Sequence, residues 1–248
     1  MCDAHLILAS RSPRRRELLA ALGVEFRVQI ADVDESGRPG ESPEDMVVRL
    51  SRDKARALAA SLGASGGLYN GPEGGSTIEI KAATNVAILA ADTVVALDGS
   101  ILGKPAAPAE AVAMLSALRA REHQVYTAVT LSYRERLDTR LSVSDVTMRD
   151  YSDEEIEAYV ASGDPMDKAG AYAIQHEWFS PVAQWRGCYT GIMGLPLYVV
   201  VGLLTEAGLS DPMDVAARCE RVYAQCTFLS GQQCCRSYLV GQQRDNAR

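Results

Sequence analysis

LILASRSPRRRELL, residues 6–19, passes from a short apolar run into a helix start with no glycine-rich turn between them. Leu6–Ala9 reads as a strand. Ser12 reads as the N-cap, Pro13 as the first helical residue, and Leu18, Leu19 and Leu22 as the buried helix face. The charge is the anomaly: Arg14, Arg15 and Arg16 occupy a first turn where the macrodipole is already positive and Asp or Glu would be favoured. Guanidinium groups stacked on a helix N-terminus suit a polyanion, most simply a phosphate chain. A solvated basic turn is the plainer alternative.

Downstream, Gly23 stops the helix and Glu25–Ile30 reads as a second strand, opening into an acidic loop with Asp32, Asp34 and Glu35. Ser42, Pro43, Glu44 and Asp45 start a second helix, expected to run to about Leu62. Its apolar stripe is Val47, Leu50 and Leu58, and Lys54 falls on that stripe. Two readings of Lys54 stay open: a stem snorkelling from the core boundary, or an ammonium turned into an anion site. Residues 63–83, rich in Gly and Ser at the start, read as a flexible insertion without a phosphate-loop ending.

Val86–Ala91 reads as a buried strand ending on Asp92-Thr93, and Val94–Leu97 with Ser100–Leu102 as a hairpin about Asp98-Gly99. Lys104 emerges between Gly103 and Pro105. Pro108 opens a helix bearing Ala111, Val112, Leu115 and Leu118. Gln124–Tyr133 and Leu141–Met148 are expected to pair antiparallel across an Arg134–Arg140 turn. Ser152 and Glu155 form a capping box for a helix through Val160, closed by Ser162-Gly163-Asp164-Pro165. Asp167–Gln175 is dense in small residues, which serve close ligand approach or tight packing equally. Pro196 begins an apolar helix to Leu204. The tail beyond 209 could add one more, over Asp214–Phe228.

The 248 residues are 47% apolar, enough for a sizeable core, and the net charge of −7 disfavours nucleic acid or an anionic membrane surface as a general partner. No export signal and no apolar run of roughly 18 residues stand out, so the expectation is a cytoplasmic enzyme or binding protein with no membrane partner. The six cysteines lack paired metal-site spacing, and reduced thiols are expected. From residue types alone, Arg14–Arg16, Glu35, Lys54, Asp92 and Lys104 suit a phosphate chain and the hard divalent cation it carries.

These stretches, with DVDE, RLSRDKA, ADTVVALDGSILGKP, HQVYTAV, DKAGAYAIQ and GLPL in the same order, resemble the Maf family of nucleoside triphosphate pyrophosphatases across residues 5 to 209. The resemblance, together with alternating strand and helix signals, implies an α/β fold: a mixed twisted sheet with flanking helices and two lobes around a nucleotide cleft. Residues 1–209 then form one domain, and 210–248 an extension of unassigned role. The resemblance implies hydrolysis of a nucleoside triphosphate between the α and β phosphorus atoms, with Mg²⁺ or Mn²⁺ as cofactor and a homodimer as the analogous assembly. It makes Asp92 the proton acceptor or a metal ligand with Glu35, and puts Ser10, Arg15, Lys54 and Lys104 on the phosphates. Arg14, Thr93 and Gln175 match the branch acting on dTTP and UTP; the 7-methyl-GTP branch carries Trp at the first of these. The family's GIQG is Ala173-Ile174-Gln175-His176 here. The other functional classes open are a nucleotide-sensing or division-regulating binding protein without turnover, and sugar-nucleotide transfer. The latter is disfavoured by Ala9-Ser10-Arg11-Ser12, which lacks that class's glycine-rich turn.

Overall fold

A computed structural model describes residues 5–64, 68–69, 78–79 and 85–210. Five strands follow the expected alternation with helices: β1 (His5–Ala9), β2 (Arg27–Val28), β5 (Val86–Leu97), β7 (Glu122–Tyr133) and β8 (Arg136–Met148). The helices are α1 (Pro13–Ala21), α2 (Pro43–Ala64), α3 (Pro108–Leu118), α4 (Asp153–Ala161), the one-turn α5 (Tyr189–Ile192) and α6 (Leu197–Glu206). With β6 (Ser100–Leu102) and β9 (Val182–Arg186) these make a mixed sheet in the order β2-β1-β5-β7-β8-β9, with β6 paired to β5. β1 is parallel to both β2 and β5, and the remaining pairs are antiparallel. β3 (Leu68–Tyr69) and β4 (Ile78–Glu79) form a separate antiparallel ladder inside the stretch read as an insertion, and Gly63 and Ala64 belong to α2. The rest of 63–83, and the helix expected over 214–228, lie outside the described residues. Among the described residues no helix is long and apolar enough to cross a membrane.

Helix starts follow local chemistry. Ser12 accepts a hydrogen bond from Arg15 N, Ser42 from Asp45 N, and Ser152 from Glu155 N in a complete capping box. Strand limits differ more from expectation. β2 keeps only Arg27–Val28, because a short edge strand beside five-residue β1 finds just two register partners. The expected Arg134–Arg140 turn is the two-residue link Arg134-Glu135, since Arg136, Asp138 and Arg140 continue the ladder on a partly exposed hairpin where charge is tolerated. The stretch read as a strand ending at Asp92 is one unbroken twelve-residue strand to Leu97.

That continuity builds the cleft. One edge of β5 pairs with β7 from Ala87 to Ala96, while the other pairs with β1 only to Ala90 and with β6 only from Val95. Residues 91–94 therefore face a gap in the sheet. The cores divide there too. Ala87, Leu89 and Ala91 pack with α1 and α6, and Val95 and Leu97 pack with α3 and α4. Ile88 and Ala90 face α2 on the opposite side. Asp92 and Thr93 sit where the strand passes from one lobe to the other.

Candidate active site

Strand periodicity sends the neighbours Asp92 and Thr93 to opposite faces of the sheet. On the α2 face, Lys54 of α2 is buried with its Nζ 2.6 Å from Asp92 Oδ1 and 2.6 Å from Glu35 Oε1. The lysine on the apolar stripe is thus turned into the site, and two carboxylates from separate segments converge on one cationic point. Burial works to raise the pKa of Glu35. The hydrogen bond and charge of Lys54, with Lys104 and Arg15 beyond, prevail and hold it below the usual carboxylate range.

On the α1 face, Arg15 Nη2 donates to Thr93 Oγ1 at 3.0 Å and Nε donates to the Gly194 carbonyl at 2.8 Å. Burial lowers the Arg15 pKa, with neighbouring Arg14 adding to the effect and Asp92 opposing it. Gly194 has φ +112°, a conformation reserved in practice for glycine, which lets its backbone lie against the guanidinium.

These groups line one cleft of about 660 Å³. It gathers nine of the residues marked out from the sequence: Ser10, Arg14, Arg15, Glu35, Lys54, Asp92, Thr93, Lys104 and Gln175. Arg16, one step along α1, is exposed and outside it. Among the described residues, neither Arg14 nor Lys104 has a carboxylate within ion-pair distance. The Asp167–Gln175 stretch forms the far wall. Its glycine serves packing, since a Cβ on Gly170 would stand 3.0 Å from Val95 Cγ1.

Sequence reasoning passed over Lys168 and Thr127. Lys168 reaches the cleft wall, but its ammonium is engaged by Asp164 and Asp167. Thr127 pairs in register with Thr93, and its only sequence signal was its place in HQVYTAV.

Residues 5–207 match the family described as Maf-like protein. The chain belongs to the Maf family. This Maf chain is 44% identical over 215 residues to the dTTP/UTP pyrophosphatase of Aromatoleum aromaticum, a match covering 83% of the chain and 97% of that relative. It is 46% identical over 210 residues to the dTTP/UTP pyrophosphatase of Cupriavidus metallidurans, covering 82% and 97%. The likeness to the Ham1 protein of Staphylococcus aureus is slight, with TM-score 0.38 and 14% identity over 59% of this chain and 72% of that one.

Proposed function

We propose that the protein hydrolyses nucleoside triphosphates, dTTP and UTP foremost, to the monophosphate and pyrophosphate, with water attacking the α-phosphorus. The observation that supports this best is the Lys54 ammonium held between Glu35 and Asp92 in a cleft where, among the described residues, Arg14 and Lys104 have no carboxylate within ion-pair distance. Uncommitted cations around a carboxylate pair suit a triphosphate and an activated water.

The donor set fits a divalent cation carried by the substrate. Each carboxylate oxygen lies 2.6 Å from the same nitrogen, so the two are at most twice that apart. Among the described residues no group of three or more His, Cys, Asp or Glu could hold a metal alone. Mg²⁺ is commonly held by one or two carboxylates together with phosphate oxygens, and Glu35 with Asp92 would supply that share. Such an ion neutralises phosphate charge and polarises a phosphoryl oxygen. Asp92, buried and gripped by Lys54, orients the attacking water and accepts its proton. Arg15 and Lys104, which both line the cleft, bind phosphate oxygens, with Ser10 following the end of β1 as a third lining residue. Arg14 and Gln175 lie toward the base, where Gln offers a donor and an acceptor to a pyrimidine edge. A cytoplasmic homodimer is the assembly this reading carries.

The test is a panel of triphosphates with Mg²⁺ or Mn²⁺, products separated by ion exchange, with one reaction run in ¹⁸O-labelled water. We expect dTTP and UTP to give monophosphate carrying the label, and unlabelled pyrophosphate. Release of orthophosphate alone, or tight binding with no product, would refute the reading.

A further inference from the structure

Thr127 is 1% exposed at the middle of β7, in the same inter-lobe zone as Thr93: Val129 and Leu131 belong to the α1/α6 core, and Val125 to the α3/α4 core. A hydroxyl in such a place must find partners. Thr127 Oγ1 donates to the Gly191 carbonyl at 2.9 Å, so at the 3.0 Å contact with Thr93 it is the acceptor. Thr93, its proton committed, accepts from Arg15 Nη2. Gly194 N donates to the same Gly191 carbonyl at 2.9 Å, and the Gly194 carbonyl takes Arg15 Nε. The bonds close into a ring through α1, β5, β7 and the 191–194 segment.

The ring fixes the guanidinium at two corners, Nε and Nη2. The remaining three of its five N–H groups are uncommitted within the ring, in a plane set by two strands and a glycine turn. Rotation about the side chain would break two bonds at once. The same ring ties Arg15 to Ile192 and Met193, which line the cleft beside it.

We propose that Thr127 is a positioning residue, acting through Thr93 and Gly191 to set the plane of the Arg15 guanidinium for phosphate recognition. The proposal rests on the phosphate-binding reading of Arg15. A purely packing role would be met as well by valine, which has nearly the same shape but no hydroxyl.

The experiment compares Thr127→Val and Thr127→Ser with the unaltered protein, each also in an Arg15→Ala background, using dTTP and Mg²⁺. Loss of a hydrogen bond serving a charged group predicts a fall in kcat/KM of about tenfold for Thr127→Val, seen mainly as a higher KM. Thr127→Ser should return to within about twofold. In the Arg15→Ala background, Thr127→Val should change kcat/KM by less than about twofold, because the two residues act through one interaction. Equal losses in both backgrounds, or a serine variant as poor as the valine one, would overturn the proposal. Thr127→Ala gives the same comparison where the valine variant fails to fold. An independent readout is exchange at the Arg15 Nε–H, followed by NMR on arginine-labelled protein. We expect exchange about tenfold faster in Thr127→Val with the rest of the spectrum preserved, and unchanged exchange would count against the ring. Because that measurement needs no turnover, an absence of hydrolysis by every form would refute the enzymatic reading alone.

Discussion

Asp92 is a carboxylate 7% exposed whose immediate neutraliser is Lys54, itself shared with a more exposed acid, Glu35. The Lys54 ammonium touches one oxygen of each acid at 2.6 Å, and in the proposed reaction it is Asp92 that takes the water proton. Asn at this position keeps the shape and the contact with Lys54 while removing the charge and the basicity. Asp92→Asn is therefore expected to lower kcat by about a hundredfold or more, the usual reach of general base catalysis, with an unchanged circular-dichroism spectrum. Turnover near that of the unaltered protein would remove Asp92 from the chemistry. Lys54 shows what sequence reading could and could not do at this scale. Its place on the α2 apolar stripe was visible as an inconsistency, yet snorkelling and site-facing roles shared the same pattern, and only the strand opposite decided between them.

At the scale of elements, the helices were legible because their starts are written in short-range chemistry: Ser12-Pro13, Ser42-Pro43 and Ser152 with Glu155. β5 was read as two strands because Asp92-Thr93 interrupts an apolar run, and the ladder with β7 that carries it through the interruption is a long-range fact. β9 and α5 gave no signal at all. β9 is an edge strand with a register irregularity opposite Thr147/Met148, and α5 is capped by the Cys188 thiol accepting from Gly191 N, an unusual cap. Their junction is Gly187, at φ +111°, where an added Cβ would meet Ser144 Oγ at 2.6 Å and Ser144 Cα at 3.0 Å. Gly187→Ala combines a disfavoured backbone with a clash against a strand. It should cost roughly 2 kcal/mol or more and lower Tm by about 5 °C in a thermal melt. An unshifted melt would show that this junction gives way freely.

Across the whole molecule, stability has a titratable component besides the carboxylates of the cleft. His123 of β7 is fully buried, with Nε2 2.8 Å from the Tyr172 hydroxyl and Nδ1 without a hydrogen-bond partner among the described residues. Burial pulls its pKa down to about 4 from an ordinary 6.5. With the folded value below the unfolded one, protons bind the unfolded chain first as pH falls. The stabilisation is whole above about pH 6.5 and is lost progressively toward 4, on the order of 2 kcal/mol by pH 5. Denaturant titrations from pH 7 to 5 should show that decline, and His123→Gln should flatten it; an equal slope in the variant would assign the decline to other groups. The division of labour between Asp92 and Thr93 also bears on how such a chain can change over time. Because adjacent residues of β5 serve opposite sides of the sheet, a single codon lost between Val86 and Ala91 would shift the register by one, bringing Thr93 opposite Lys54, Val94 opposite Arg15, and the Asp92 carboxylate into the apolar place of Ala91. Point substitutions along this strand alter one wall of the cleft, whereas a frame-preserving deletion there removes the side-chain contacts of both, so drift in this segment can proceed by replacement and not by length.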